Sequence, residues 1–310
     1  MTKKAAFQLL ALSAIWSAYF ICVQNVNTEL GVILGAAAFR FGTVFVMFCY
    51  LAVNRHLSDL IVPKKAVVSL LIVGLLSFIL DGAAFIGFQH CNVSEGAALL
   101  KCDIIFVNLI SAVIYKKSIS LQNWLLTIFM LVGVFILVGV DFKGININNP
   151  YYFMFILSAF AVSCNAFILQ NVQRHYPEIK DMVIAFYNVF VSGLLFMGTF
   201  FITHGYGFIQ KDILNASWLI VLLLGCLLSV GLFALYYDSL RKFPVWTVKI
   251  FLLTMPAISS FASFLLYGEV ISFRQVSGIT VICAGAFLII TSGKKESAVW
   301  EKQNALHSDK

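Results

Sequence analysis

Five ionisable residues lie inside long apolar stretches of this chain: Arg40, Asp81, Lys101, Asp103 and Lys249. Each such charge costs about 2.5–3.5 kcal/mol at a lipid-facing position near the centre of a bilayer. These side chains are therefore expected to face the interior of a helix bundle or a water-filled cavity. The three positive and two negative groups leave a formal charge of +1, which suits binding of a zwitterion or a carboxylate.

Counting residues along the apolar stretches places most of these charges at one depth. Arg40, Asp81 and Lys101 each lie eight residues from the predicted outer end of their stretch, which is about 12 Å at 1.5 Å per helical residue. Asp103 is two residues deeper. One interpretation is structural: Asp81 pairs with Lys101 and Arg40 with Asp103, and the pairs join helices. We expect Lys101 to contact a substrate and Arg40 to be structural, because a guanidinium suits bidentate pairing with a carboxylate.

Lys249 lies about four residues inside the predicted cytoplasmic end of its stretch. From there a lysine can extend its ammonium to the interface. Asp238 closes the preceding stretch at a similar level, so the two could instead form an inner gate pair. Substrate contact by Lys249 is the third possibility.

Several uncharged residues are further candidates for a central cavity. Trp16 and Tyr19 lie one helical turn apart, and Tyr187 has a comparable depth. Asn165 needs a hydrogen-bond partner, which another helix or a ligand could supply. Pro256 interrupts the hydrogen-bond ladder of its stretch and predicts a hinge or a polar cavity wall.

The elements that must position these residues are apolar segments of about twenty residues. Apolar residues make up 61% of the chain and charged ones 11%, with a mean hydropathy of +0.95. Because about twenty helical residues cross a bilayer, this composition predicts an integral membrane protein built from ten transmembrane helices. The predicted spans are 5–25, 32–53, 66–89, 93–115, 121–140, 151–171, 182–203, 217–238, 245–267 and 272–291.

The basic residues between the spans predict the orientation. With both termini in the cytoplasm, the inner segments hold fifteen lysines and arginines and the outer ones hold three, Lys143, Lys211 and Arg274. Such a bias is typical of cytoplasmic loops. It also accounts for the net charge of +7 without a basic patch for nucleic acid.

The two halves of the chain resemble each other. Residues 97–140 align with 249–292 at an offset of 152, so that Gly133 corresponds to Gly285, and spans one and six both end in Gln-Asn-Val. Five spans per half is an odd number, so the halves should have opposite orientations, as in many secondary transporters. The predicted units are the five-helix repeats 1–145 and 146–292 and a disordered cytoplasmic tail, 293–310.

The chain resembles the drug/metabolite transporter superfamily, in particular its EamA-type ten-helix members. The resemblance covers about residues 7–292 and is carried by Pro256, by the run 264–269 ending in Glu269, by Gly278, and by Arg40 in the second span. The first half departs from the pattern, with Ile104 and Lys117 at the positions expected for the proline and the glutamate. The resemblance implies amino-acid and metabolite export and gives Glu269 a structural role.

No enzyme signature occurs in the sequence, which lacks GxSxG, HExxH and a phosphate-binding Gly-rich loop with lysine. Asp81 and Asp103 could form an aspartyl-protease dyad, but Arg40 and Lys101 at the same depth would keep both carboxylates ionised. The seven cysteines show no spacing typical of metal ligands or of a disulfide framework. We therefore expect no catalysis and no cofactor or metal.

The sequence thus predicts an inner-membrane secondary transporter of small polar metabolites, amino acids or related zwitterions and carboxylates, working by alternating access. Uptake or exchange of a nucleotide-like or methyl-donor metabolite, drug efflux, and a non-transporting scaffold or receptor are the alternatives. Expected partners are the substrate and membrane lipid, with protons or a counter-substrate as candidates for coupling, in a monomer or weak dimer.

Overall fold

A computed structural model describes residues 3–91, 93–114, 120–140, 149–204, 216–267 and 270–292. Within these residues the chain is helical, without strands. It consists of α1 (Lys3–Leu30), α2 (Val32–Val53), a 3-10 turn (Leu57–Leu60), α3 (Lys64–His90), α4 (Val93–Leu100), α5 (Asp103–Ile114), α6 (Leu121–Val138), α7 (Tyr152–His175), α8 (Asp181–His204), α9 (Ala216–Lys242), α10 (Val245–Leu252), α11 (Met255–Tyr267) and α12 (Phe273–Ser292).

The described helices contain ten stretches long and apolar enough to cross a membrane. This confirms the predicted all-helical fold with ten spans. Large apolar side chains such as Phe45, Val113 and Ile202 are exposed on the outside of the bundle, as expected where the surrounding medium is lipid. The cytoplasmic position of the termini stays a prediction, and the proposed tail falls outside the described residues.

Two of the ten spans are each built from two helices. Span four is interrupted by a turn at Lys101 and Cys102, between α4 and α5, and span nine by a turn at Leu253 and Thr254, between α10 and α11. Pro256 is the second residue of α11, a position where its missing N–H does not break the helix. The predicted interruption of span nine is present, and it lies just before the helix that contains Pro256. The break in span four, where Ile104 replaces the proline, was not predicted.

The helices pack in a two-fold pattern. The first helix of each half lies along the third helix of the other half, α1 along α9 and α7 along α3. Likewise α1 contacts α10 and α11, whereas α7 contacts α4 and α5. The two helix breaks are also related, because 101 and 102 lie 152 residues before 253 and 254. The opposite orientation of the halves remains a prediction.

The fifth span of each half, α6 or α12, packs against its counterpart in the other half. At the contact between α6 and α12, a Cβ added to Gly278 would lie 2.6 Å from the backbone nitrogen of Leu137. One added to Gly133 would lie 2.9 Å from the side chain of Val281. Small residues allow such close approach of helix backbones in a membrane.

Candidate functional site

The helix breaks bring a group of polar and aromatic residues together in the interior, the central cluster: Lys101, Asp103, Tyr236, Lys249 and Met255. Lys249 of α10 donates to Asp103 of α5, with 3.0 Å between Nζ and Oδ2. The side chains are 3% and 12% exposed. In a buried pair of this kind each charge compensates the other. Removing either partner would leave an uncompensated charge in a low-dielectric environment.

The structure corrects two predictions about Lys249. Its ammonium does not extend to the interface and does not pair with Asp238. The physical reason is that α10 packs against α5, which places Lys249 opposite the first residue of that helix. Asp238 instead accepts hydrogen bonds from Lys242 at 2.6 Å and from Gln8 at 2.7 Å.

Lys101 lies in the turn between α4 and α5, beside this pair. Its Nζ is 3.7 Å from Sδ of Met255, a weak acceptor. Among the described residues no carboxylate pairs with Lys101. The central cluster therefore holds two ammonium groups and one carboxylate, and one positive charge has no anionic partner there.

Arg40 and Asp81 form a separate ion pair between α2 and α3. The predicted pairs of Asp81 with Lys101 and of Arg40 with Asp103 are therefore wrong. Both α2 and α3 pack against α8, which brings Arg40 and Asp81 to one helix. Gly193 of α8 leaves room there, since a Cβ at that position would lie 2.9 Å from Cβ of Arg40. Asp81 is 28% exposed in its side chain.

Of the predicted aromatic residues, Trp16 contacts a member of the central cluster. Trp16 packs edge-on against Tyr236 with 5.2 Å between ring centroids, and Nζ of Lys249 is 6.0 Å from the Tyr236 centroid. Tyr19 packs against Phe39 at 5.6 Å. The sequence did not single out Tyr236, although a tyrosine inside an apolar helix needs a partner for its hydroxyl and so gave a weak signal.

Two other predicted site residues are engaged elsewhere. Asn165 donates through Nδ2 to the carbonyl of Val73 at 2.8 Å and to Oγ of Ser77 at 3.2 Å, so its partner is a helix, α3. The hydroxyl of Tyr187 donates to the carbonyl of Leu60 at 2.8 Å. It lies at an end of the bundle because α8 begins only six residues earlier, at Asp181. Glu269 lies outside the described residues.

A second polar region at that end of the bundle was not predicted. Its members, the end cluster, are Gln170 and Gln173 of α7, Asp181 of α8 and Arg241 of α9. Arg241 donates to Oδ1 of Asp181 from Nη2 at 2.6 Å and from Nε at 3.1 Å, and Nε2 of Gln173 donates to the same oxygen at 2.8 Å. Opposite charges in neighbouring interhelical segments were the available signal.

A further ion pair links the segment between α2 and α3 to the segment between α7 and α8. Nζ of Lys180 is 2.8 Å from Oδ2 of Asp59. Lys180 lowers the pKa of the Asp59 carboxyl below its usual value, first through this hydrogen bond and then through its charge. The imidazole of His56 lies 3.3 Å from the same oxygen.

Ten membrane-spanning helices with ion pairs in their interior define a multi-pass α-helical membrane protein. The chain belongs to the EamA-like transporter family, whose model matches residues 3–139 and again residues 149–291. The resemblance inferred from the sequence is thereby confirmed.

Individual similar proteins agree with this assignment. A probable amino-acid metabolite efflux pump of Salmonella typhimurium is 19% identical over 298 residues, which cover 93% of this chain and 95% of that protein. A protein of known crystal structure matches with a TM-score of 0.68 at 17% identity, covering 93% of this chain and 95% of its own. At that identity the second match supports the fold alone.

Proposed function

We propose that this protein exports small metabolites that carry a carboxylate, amino acids or related zwitterions, across the cell inner membrane by alternating access. The observation that carries the proposal is Lys101, an interior ammonium beside a closed ion pair and without a carboxylate of its own among the described residues. A substrate carboxylate would neutralise this charge. The similarity to an efflux pump for amino-acid metabolites favours the same class of substrate and the outward direction.

The surroundings of Lys101 suit such a ligand. Asp103 is paired with Lys249 at 3.0 Å, and among the described residues no ion pair joins it to the Lys101 ammonium. The thioether of Met255 is a weak acceptor that a carboxylate would displace. Trp16 and Tyr236 offer ring surfaces to the remainder of the ligand.

The two helix breaks support alternating access. Interrupted helices near the middle of a membrane are a usual location of substrate sites in transporters built from inverted repeats. In this chain both interruptions occur in the fourth span of a half, and one of them carries Lys101. A change in the angle at each break would move Lys101, Asp103 and Lys249 relative to the rest of the bundle.

The proposal is tested with purified protein in liposomes. Radiolabelled amino acids, dicarboxylates, nucleotides and hydrophobic cations are offered against a gradient and in exchange, with and without a pH gradient. We expect transport of a carboxylate-bearing metabolite. Transport of hydrophobic cations alone would replace the proposal with drug efflux, and failure across the whole panel would favour a scaffold or receptor.

A thermal-shift screen of the same panel identifies the ligand independently of direction. A ligand at a hundred times its Kd stabilises the folded protein by about 2.7 kcal/mol. Compounds that differ only by esterification of the carboxylate form the matched control. Equal stabilisation by the acid and its ester would contradict a role for the carboxylate.

A further inference from the structure

Two buried serine hydroxyls reach across the bundle to the helix breaks. Oγ of Ser163, on α7, donates to the carbonyl oxygen of Asp103 at 2.8 Å. Oγ of Ser17, on α1, donates to the carbonyl oxygen of Met255 at 3.2 Å. Asp103 and Met255 are each the first residue of the helix that follows a break, α5 and α11. Both serines are fully buried.

These two contacts are equivalent in the two halves of the chain. The shared Gln-Asn-Val runs begin at Gln24 and Gln170, an offset of 146, and the same offset relates Ser17 to Ser163. The acceptors Asp103 and Met255 are related by the offset of 152 that also relates the breaks. Each hydroxyl therefore belongs to the first helix of one half and holds the break in the other half.

Each hydroxyl also has an acceptor in its own helix. Oγ of Ser17 lies 2.9 Å from the carbonyl oxygen of Ser13, and Oγ of Ser163 lies 2.8 Å from that of Ala159. A hydroxyl has one proton to donate. It can leave the break and keep a hydrogen bond to its own helix, so release of the break does not strand a buried donor.

The two breaks differ in the number of serine hydroxyls that contact them. Ser13 donates to the carbonyl of Phe251 at 3.1 Å, which adds a second hydroxyl contact to the break before α11. The position 146 residues after Ser13 is Ala159, which has no hydroxyl. The break that carries Lys101 thus has one serine contact fewer than the break before α11, although Asp103 after it is also paired with Lys249.

We propose that Ser17 and Ser163 are a repeat-related pair of positioning residues that hold and release the two helix breaks. Through the carbonyl of Asp103, Ser163 sets the position of Lys101 and of the carboxylate that binds Lys249. Through the carbonyl of Met255, Ser17 sets the position of that residue and of the start of α11. The effect of Ser163 on substrate binding rests on the proposed function, whereas its effect on the break does not.

Hydrogen exchange of the full-length protein, read by mass spectrometry, tests the effect on the breaks. Ser163→Ala is expected to speed exchange of residues 99–107 roughly three- to tenfold, the size expected for loss of one hydrogen bond. Ser17→Ala should act on residues 251–259, and more weakly, because Ser13 remains. Ser163→Cys keeps the size of the side chain with a weaker donor and should give an intermediate rate.

Ser192→Ala is the matched control. Ser192 is also fully buried, but its hydroxyl donates to the carbonyls of Asn188 and Val189, at 2.9 and 3.1 Å, which both lie in its own helix. It should change exchange at neither break. Equal acceleration by all three alanine variants, or acceleration by none, would overturn the proposal.

Transport kinetics separate positioning from a general loss of stability. With the carboxylate substrate found in the liposome assay, Ser163→Ala should have a KM roughly three- to tenfold higher than that of wild type. The KM of Ser192→Ala should equal that of wild type. Absence of transport by wild type would contradict the proposed function and leave the exchange result standing. Normal exchange and normal KM for Ser163→Ala, with an active wild type, would contradict the positioning role alone.

Discussion

The central cluster and the end cluster each contain an aspartate paired with a basic side chain, but they differ in charge balance. In the end cluster Asp181 accepts hydrogen bonds from both Arg241 and Gln173, and the neighbouring carboxylates Asp59 and Asp238 are paired with lysines. In the central cluster Asp103 pairs with Lys249, and the ammonium of Lys101 has no anionic partner among the described residues. The charges of the first arrangement are paired within the protein, whereas we propose that a substrate anion pairs with the remaining charge of the second.

The difference follows from what the helices require at each place. The last four carbonyls of a helix lack partners within that helix, and Gln170 of α7 supplies a donor to one of them, that of Leu240, at the end of α9. Gln173 donates to the carbonyl of Tyr237 at 2.9 Å, and Gln170 donates to those of Leu240 and Phe243 at 2.7 and 3.0 Å. The end cluster thus fixes helix ends. Within the part of the chain that the structure describes, Lys101 makes no comparable contact, which favours a role in binding.

The largest expected effect on activity is that of Lys101→Met. This change removes the charge and keeps the length of the side chain, and we expect transport to fall at least about tenfold, the equivalent of 1.4 kcal/mol in binding. Folded yield should stay near normal, because no described carboxylate loses its partner. Transport into liposomes and size-exclusion profiles measure the two effects. Normal transport by this variant would show that the unpaired charge is not used for substrate.

The largest expected effect on stability is that of Asp103→Asn. The change leaves the 3%-exposed Lys249 ammonium without its carboxylate, at a cost of about 3–5 kcal/mol. Adding Lys249→Met removes the stranded charge and should restore most of the stability. Unfolding in detergent, followed by fluorescence, measures both variants. If the double variant is no more stable than Asp103→Asn alone, the pair is not the source of the loss.

A smaller effect is expected for the end cluster. Arg241→Met leaves Asp181 with Gln173 as a donor, and the side chains of Arg241 and Asp181 are 33% and 21% exposed. Solvent then screens the remaining charge, so the loss of stability should be about 1 kcal/mol. Transport per folded molecule should be unchanged. A loss of transport like that of Lys101→Met would mean that the two clusters do not differ in role.

The central cluster was predicted only in part, because depth along a helix does not determine which side chains face each other. Spans follow from apolar length alone, and the break before α11 follows from Pro256. The break at Lys101 has no proline or glycine to reveal it. Counting along one continuous helix does not allow for this turn, and the packing of α10 against α5 places Asp103 opposite Lys249.

The end cluster was not predicted for a different reason. Its residues lie near helix ends, where the sequence showed charges of both signs but not which of them meet. Which segments meet there depends on the packing of α7 against α9 and of α2 and α3 against α8. Long-range contacts of this kind, such as that of Gln173 with Tyr237, leave no pattern in local sequence.

The smallest expected effect is the pH dependence of the link between Asp59 and Lys180. Because Lys180 lowers the pKa of Asp59 in the folded protein, the link stabilises the fold above the ordinary carboxyl pKa, about 3.9. This contribution is lost as the pH falls through the lower, folded value. Asp59→Asn should therefore lower Tm slightly at pH 7, and the difference from wild type should vanish in strong acid. A difference that persists there would come from packing, since a protonated Asp59 offers Lys180 no more charge than asparagine does.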